Sequence, residues 1–103
     1  MGKGKLVAQG SHASLQAAEI AMKKDPKSYS TWQDLGTKKI VLKVNSLSEL
    51  LEIQKQCGIL SIPGALIIDA GHTQVEPNTP TAFAVGPYPS SLIDRVVSHL
   101  KLL

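Results

Sequence analysis

Cys57 is the single cysteine in 103 residues, so neither an intrachain disulfide nor a zinc site built on several thiolates can be assembled. That usage suits a reducing compartment. No apolar stretch approaches the roughly 20 residues that a bilayer-spanning helix requires, so the chain reads as soluble. The first residues carry Lys3 and Lys5 but neither the apolar centre of a signal peptide nor the Arg- and Ser-rich composition of a transit peptide. A Walker phosphate loop, internal repeats and low-complexity segments are likewise missing. The three histidines, His12, His72 and His99, have no metal-ligand spacing, and no metal site is expected.

What remains is an ordinary globular composition. With 43% apolar residues the chain is long enough for one core and too short for two, giving a single domain over residues 1–103. A net charge of +3 is mildly basic, compatible with a nucleic-acid partner without requiring one. Cys57 lies on the apolar face of a helical pattern, where burial as a small hydrophobe is preferred over a catalytic thiol.

From about Lys5 to Lys24 helix formers dominate, with Ala8, Ala13, Ala17, Ala18 and Ala21 giving a thin surface able to lie close against a sheet. Asp25-Pro26 stops this helix, and residues 27–37 read as a polar loop or short helix around Trp32, closed by Gly36. A strand is expected over Lys38 to Val44. Ser46-Leu47-Ser48-Glu49 is a capping box, opening a helix that runs to Gly58 with Leu47, Leu50, Leu51, Gln54 and Cys57 on one face. A second strand follows at Ala65 to Asp69, and the strand-helix-strand order predicts parallel pairing through a right-handed crossover. A short strand over Thr81 to Val85 and a last helix from Ser90 or Ser91 to about Leu102 complete the chain. The expected architecture is α/β, a three-layer α/β/α arrangement with a small mixed β-sheet.

Two places carry chemistry. Lys5, Gln9 and His12 are spaced by four and three, and on a helix they form one polar stripe of an ammonium, an amide and an imidazole. Such a stripe binds a phosphate or polarises an ester, although a solvated Lys5 and a structural His12 are the plain alternatives. Farther on, the apolar run Ala65 to Ile68 ends in Asp69, with Gly71 two residues later allowing close backbone approach to a ligand. The alternative is an aspartate that caps its own turn.

The sequence Gly4-Lys5-Leu6-Val7-Ala8-Gln9-Gly10-Ser11-His12-Ala13, followed by Asp69-Ala70-Gly71-His72-Thr73-Gln74, Pro77-Asn78-Thr79-Pro80-Thr81, Val85-Gly86-Pro87 and the ending Leu92-Ile93-Asp94 to Leu100-Lys101-Leu102, resembles the archaeal and eukaryotic (type II) peptidyl-tRNA hydrolases over the full length. The resemblance implies hydrolysis of the ester between a peptide and the terminal ribose of tRNA, without a cofactor. By position, it implies an active-site cluster of Lys5, Gln9, His12, Asp69, Thr73 and Thr81. In that cluster Asp69 or His12 would act on the water, Lys5 would stabilise charge, and Thr73 and Thr81 would donate hydrogen bonds. Gln9, Gly71, Lys3 and His72 would contact substrate, and Lys3, Lys23, Lys24, Lys38 and Lys39 would meet phosphates.

Several further expectations follow from the resemblance. A non-catalytic interaction protein of the same fold, with protein partners linked to cell-death signalling, is the alternative function. A homodimer is compatible with either. The cytoplasm is the expected compartment, with the mitochondrion as alternative. The family carries a strand ahead of the Met1-Gly2-Lys3-Gly4-Lys5 block, so the sequence is expected to be an N-terminally shortened form of the domain. His72 stands where the family usually has Arg, and Asn78 where it usually has Gly.

Overall fold

A computed structural model describes residues 1–69 and 78–103. Helix α1 spans Lys3–Lys24, and its buried residues Gln9, Ala13, Ala17 and Ala21 recur every four positions, with Ala18 beside them. Because all but Gln9 are alanines, the helix axis can approach its neighbour closely with little side-chain entropy lost. Asp25 ends α1 through its backbone N–H on Ala21 O (2.7 Å) and opens α2, Pro26–Asp34. Its carboxylate accepts from Ser28 Oγ (2.6 Å) and Ser28 N–H (3.3 Å), and these bonds hold its pKa below the usual carboxylate value. Within the segment expected as a loop or short helix, the residues up to Asp34 are helical, with Pro26 at the first position of α2 where the missing N–H costs nothing.

Strand β1 is only Leu42–Lys43, followed by helix α3, Leu47–Ile59. The serine half of the capping box forms, with Ser46 Oγ accepting from Glu49 N–H (3.1 Å), while Glu49 Oε1 accepts from the N–H of Asn45, one residue before the cap (2.8 Å). Strand β2, Gly64–Ile68, pairs antiparallel with β3, Pro80–Val85. Helix α4 spans Ser90–Val97, and the chain ends through β4, Lys101–Leu102, paired antiparallel with β1.

The β2–β3 pair is packed by helices on both faces, in agreement with the expected α/β layering. Alternation along the strands assigns the faces. Ala65, Ile67 and their partners Ala84 and Ala82 share the face toward α1, while Leu66, Phe83 and Val85 share the other. On that second face Phe83 and Val85 pack on a cluster of Ile53, Cys57, Ile62 and Val96, joined by Val44, Leu92 and Ile93. Cys57 is buried as expected, and burial pushes its thiol pKa up.

Two expectations about pairing and extent are corrected. The strands flanking α3 are not parallel partners: among the described residues the sheets are two antiparallel pairs, β1–β4 and β2–β3, rather than one mixed sheet. The first strand is also shorter than residues 38–44, because Ile40 and Val41 lie exposed, 61% and 60%, with no apolar layer over them. The last helix ends at Val97, not near Leu102. Leu100 N–H turns back onto Val97 O (2.9 Å), freeing Lys101 and Leu102 for the ladder with β1.

Candidate active site

Lys5 lies in the first turns of α1 and Gln9 one turn on, both on the side that meets β2 and β3. Asp69 directly follows β2. Its side chain is 1% exposed, and its Oδ2 is 2.5 Å from the Lys5 Nζ, which is 20% exposed. The backbone holds Asp69 in place: its N–H donates to Thr79 O (2.9 Å), and its C=O accepts from Asn78 N–H (2.8 Å). Asn78 has φ 64°, a left-handed conformation that glycine adopts freely and asparagine tolerates better than other side chains. Asparagine is therefore compatible with this turn.

Thr81 completes the described cluster by way of a register shift. β3 pairs Ala82 with Ile67 but Pro80 with Ile68, leaving Thr81 without a ladder partner. Such a bulge re-aims the extra side chain. The Thr81 hydroxyl accepts from Gln9 Nε2 (2.8 Å) and donates to Ile67 O (3.4 Å). Gln9 is thus a buried amide whose position is fixed from the opposite strand.

The structure brings together Lys5, Gln9, Asp69 and Thr81 from the sequence-derived set. His12 is exposed on α1, seven residues from Lys5, about 10 Å along the helix. Lys3 is exposed at the start of α1. Gly71, His72 and Thr73 lie outside the described residues. Two features escaped sequence reasoning, the Gln9 to Thr81 bond and the burial of Asp69. The first depends on the unpaired position of Thr81 and the second on contacts with residues distant in sequence, which no local pattern announces.

Chemically, the cluster offers one ammonium with partial access to solvent, a carboxylate against it and a hydroxyl held by an amide. That set suits attack of water on a carbonyl carbon: the ammonium stabilises a developing oxyanion, and the carboxylate orients water and accepts its proton.

Comparison with known proteins decides the family. Residues 1–103 match the family model described as Peptidyl-tRNA hydrolase PTH2. The chain belongs to this family. Among its relatives, the peptidyl-tRNA hydrolase of Methanocaldococcus jannaschii is 48% identical over 103 residues, covering 100% of this chain and 90% of that protein. The peptidyl-tRNA hydrolase of Aeropyrum pernix is 42% identical over 106 residues, covering 99% of this chain and 86% of its own. The protein named probable peptidyl-tRNA hydrolase 2 in Dictyostelium discoideum is 42% identical over 102 residues, with 99% of this chain matching 49% of that longer protein. The α/β layering fits this membership, and among the described residues no helix is long and apolar enough to cross a membrane.

Proposed function

We propose that this chain hydrolyses the ester joining a peptide to the terminal ribose of tRNA, with the Lys5–Asp69 pair at the reacting centre. Membership of the peptidyl-tRNA hydrolase family supports the reaction, and the ion pair at the end of β2 is the observation that carries the site. In this reading the ester carbonyl sits against the accessible side of the Lys5 ammonium, which stabilises the oxyanion formed when water attacks. The proton of that water passes to the Asp69 carboxylate and then to the departing ribose oxygen. Free tRNA and a peptide carboxylate are the products.

Distance separates the two candidate bases. Asp69 touches Lys5, whereas His12 lies exposed two turns farther along α1, which favours Asp69 as the base for a carbonyl held at Lys5. We assign Asp69 to the water and His12 to substrate contact. Thr81, held by Gln9, would supply a hydrogen bond beside the ester by turning its one proton away from Ile67 O. Thr73 is kept as a second donor and Gly71, His72 and Lys3 as substrate contacts, on the resemblance alone. The reaction needs no cofactor, and we place it in the cytoplasm.

Asp69→Asn is the direct test. The amide keeps the shape and loses the charge, and the partly exposed Lys5 side chain can turn to solvent. Turnover of peptidyl-tRNA is expected to fall by about 100-fold or more, the usual scale of losing a general base, while thermal unfolding stays cooperative. Near-normal turnover would remove Asp69 from the chemistry. A wild-type chain that binds substrate without cleaving it would favour the interaction-protein alternative.

A further inference from the structure

The net charge of this protein has an address. Between Lys23 and Lys39 stand Lys23, Lys24, Lys27, Lys38 and Lys39 against Asp25 and Asp34, an excess of +3, equal to that of the whole chain. The remaining residues carry six cationic and six acidic side chains and balance. Asp25 is moreover engaged by Ser28. The last turn of α1, helix α2 and the loop after it therefore carry a surplus equal to the net charge of the chain, and all five lysines are exposed.

Trp32 orders this surface. Its indole N–H donates to Lys38 O (2.8 Å), which ties the loop back onto α2, and the Lys39 ammonium lies 5.3 Å from its ring centroid and donates to Thr37 O (2.9 Å). Tyr29 packs against Trp32 with ring centroids 5.9 Å apart and a tilt of 51°. The indole thus orders the loop that carries Lys38 and Lys39. Lysines on a fixed frame suit contact with phosphates along a duplex, independent of sequence.

Position completes the argument. From Lys5 to Lys24 is about 28 Å along α1, and a helix of this length can run only along the longest dimension of a molecule measuring 38 × 23 × 22 Å. The basic surface lies at the end away from the Lys5–Asp69 pair. Resting on the peptidyl-tRNA reading above, we propose that this surface, Lys23 to Lys39 framed on Trp32, is a second docking site that grips the phosphates of the base-paired stem of tRNA while the ester end reaches Lys5. A single-stranded end bearing only the ester is too short to touch both.

The test compares two substrates and two charge-matched variants. Lys24→Gln/Lys27→Gln/Lys38→Gln removes charge here and spares Lys39, and Lys43→Gln/Lys55→Gln/Lys101→Gln removes as much elsewhere from exposed positions. On peptidyl-tRNA the first variant should raise KM by about tenfold or more near physiological salt, with kcat within about twofold. Its dependence of log KM on log salt concentration should be shallower by about two to three, near 0.9 for each phosphate lost. On a peptidyl ester of a short single-stranded oligonucleotide it should match wild type, and the second variant should match wild type on both substrates. An unchanged KM on peptidyl-tRNA, an equal rise on the short ester, or an equal effect of the second variant would overturn the proposal. If wild type cleaves neither substrate, the hydrolase reading fails instead. Binding of deacylated tRNA then decides the docking site: weakening by the first variant alone supports it, and equal binding by both variants overturns it.

Discussion

Lys5 and Asp69 form a pair in which one member is almost wholly buried, and that asymmetry governs what substitution does. Removing the ammonium takes its salt-bridge partner from a buried carboxylate, which for a buried pair costs about 3–5 kcal/mol. Lys5→Ala is therefore expected to lower stability by a few kcal/mol and to reduce kcat by at least about 100-fold, with KM much less affected. Chemical denaturation and steady-state turnover of the same preparations check both. A variant that loses KM alone, and recovers at low salt, would make Lys5 a phosphate contact like those near Trp32. Lys5 and Gln9 were legible as a site from their spacing, since one helical turn separates them. That spacing could not say that His12, one turn farther, stays on the exposed side. Nor could it choose between Asp69 as a turn cap and Asp69 as a reacting group, because its ion-pair partner lies sixty-four positions away in sequence.

Elements were legible where the signal is local. The Ser46 cap on Glu49 N–H forms as expected because its partners lie within one turn. The last helix was overextended for the opposite reason: Leu92, Ile93, Val96, Val97 and Leu100 keep a helical period, yet residues 101–102 gain more from a ladder with β1 than from another turn. A glycine in β2 reveals the same dependence on distant neighbours. A Cβ at Gly64 would collide with the Phe83 ring, which lies over it from β3. That ring also contacts the cluster of Ile53, Cys57, Ile62 and Val96, so it cannot move without disturbing the core. Gly64→Ala is expected to destabilise the protein by about 1–3 kcal/mol, the range for overpacking, despite the higher strand propensity of alanine. Urea unfolding checks this, and Phe83→Leu in the same background should recover part of the loss. A neutral Gly64→Ala would mean that β2 and β3 separate freely at this end.

On the scale of the whole molecule the two antiparallel pairs are packed on a common core, since Val44 beside β1 and Phe83 and Val85 of β3 all contact the cluster under α3. Among the described residues each pair nonetheless has open edges, and apolar side chains flank β1 and β4: Ile40, Val41, Leu102 and Leu103 are 61%, 60%, 70% and 67% exposed. Two-stranded pairs are marginal by themselves and gain strongly from a third strand. The direction of such a strand follows from α1. Its first turns lie against the end of β2 through Lys5 and Asp69, so a segment leading into Met1 would finish at that end and run parallel to β2. This addition would give β2 a parallel neighbour beside its antiparallel one. Fusing a strand-forming apolar segment of six to eight residues ahead of Met1 is expected to add several ladder hydrogen bonds and buried side chains, each worth about 1 kcal/mol, against a total stability of about 5–15 kcal/mol. For a domain of this size the thermal midpoint should rise by roughly 10 °C or more. The control is the same segment with alternate residues changed to Lys, which preserves length but removes the buried face. Equal midpoints for all three chains would show that the fold closes without a further strand and that the open edges of β1 and β2 carry no cost.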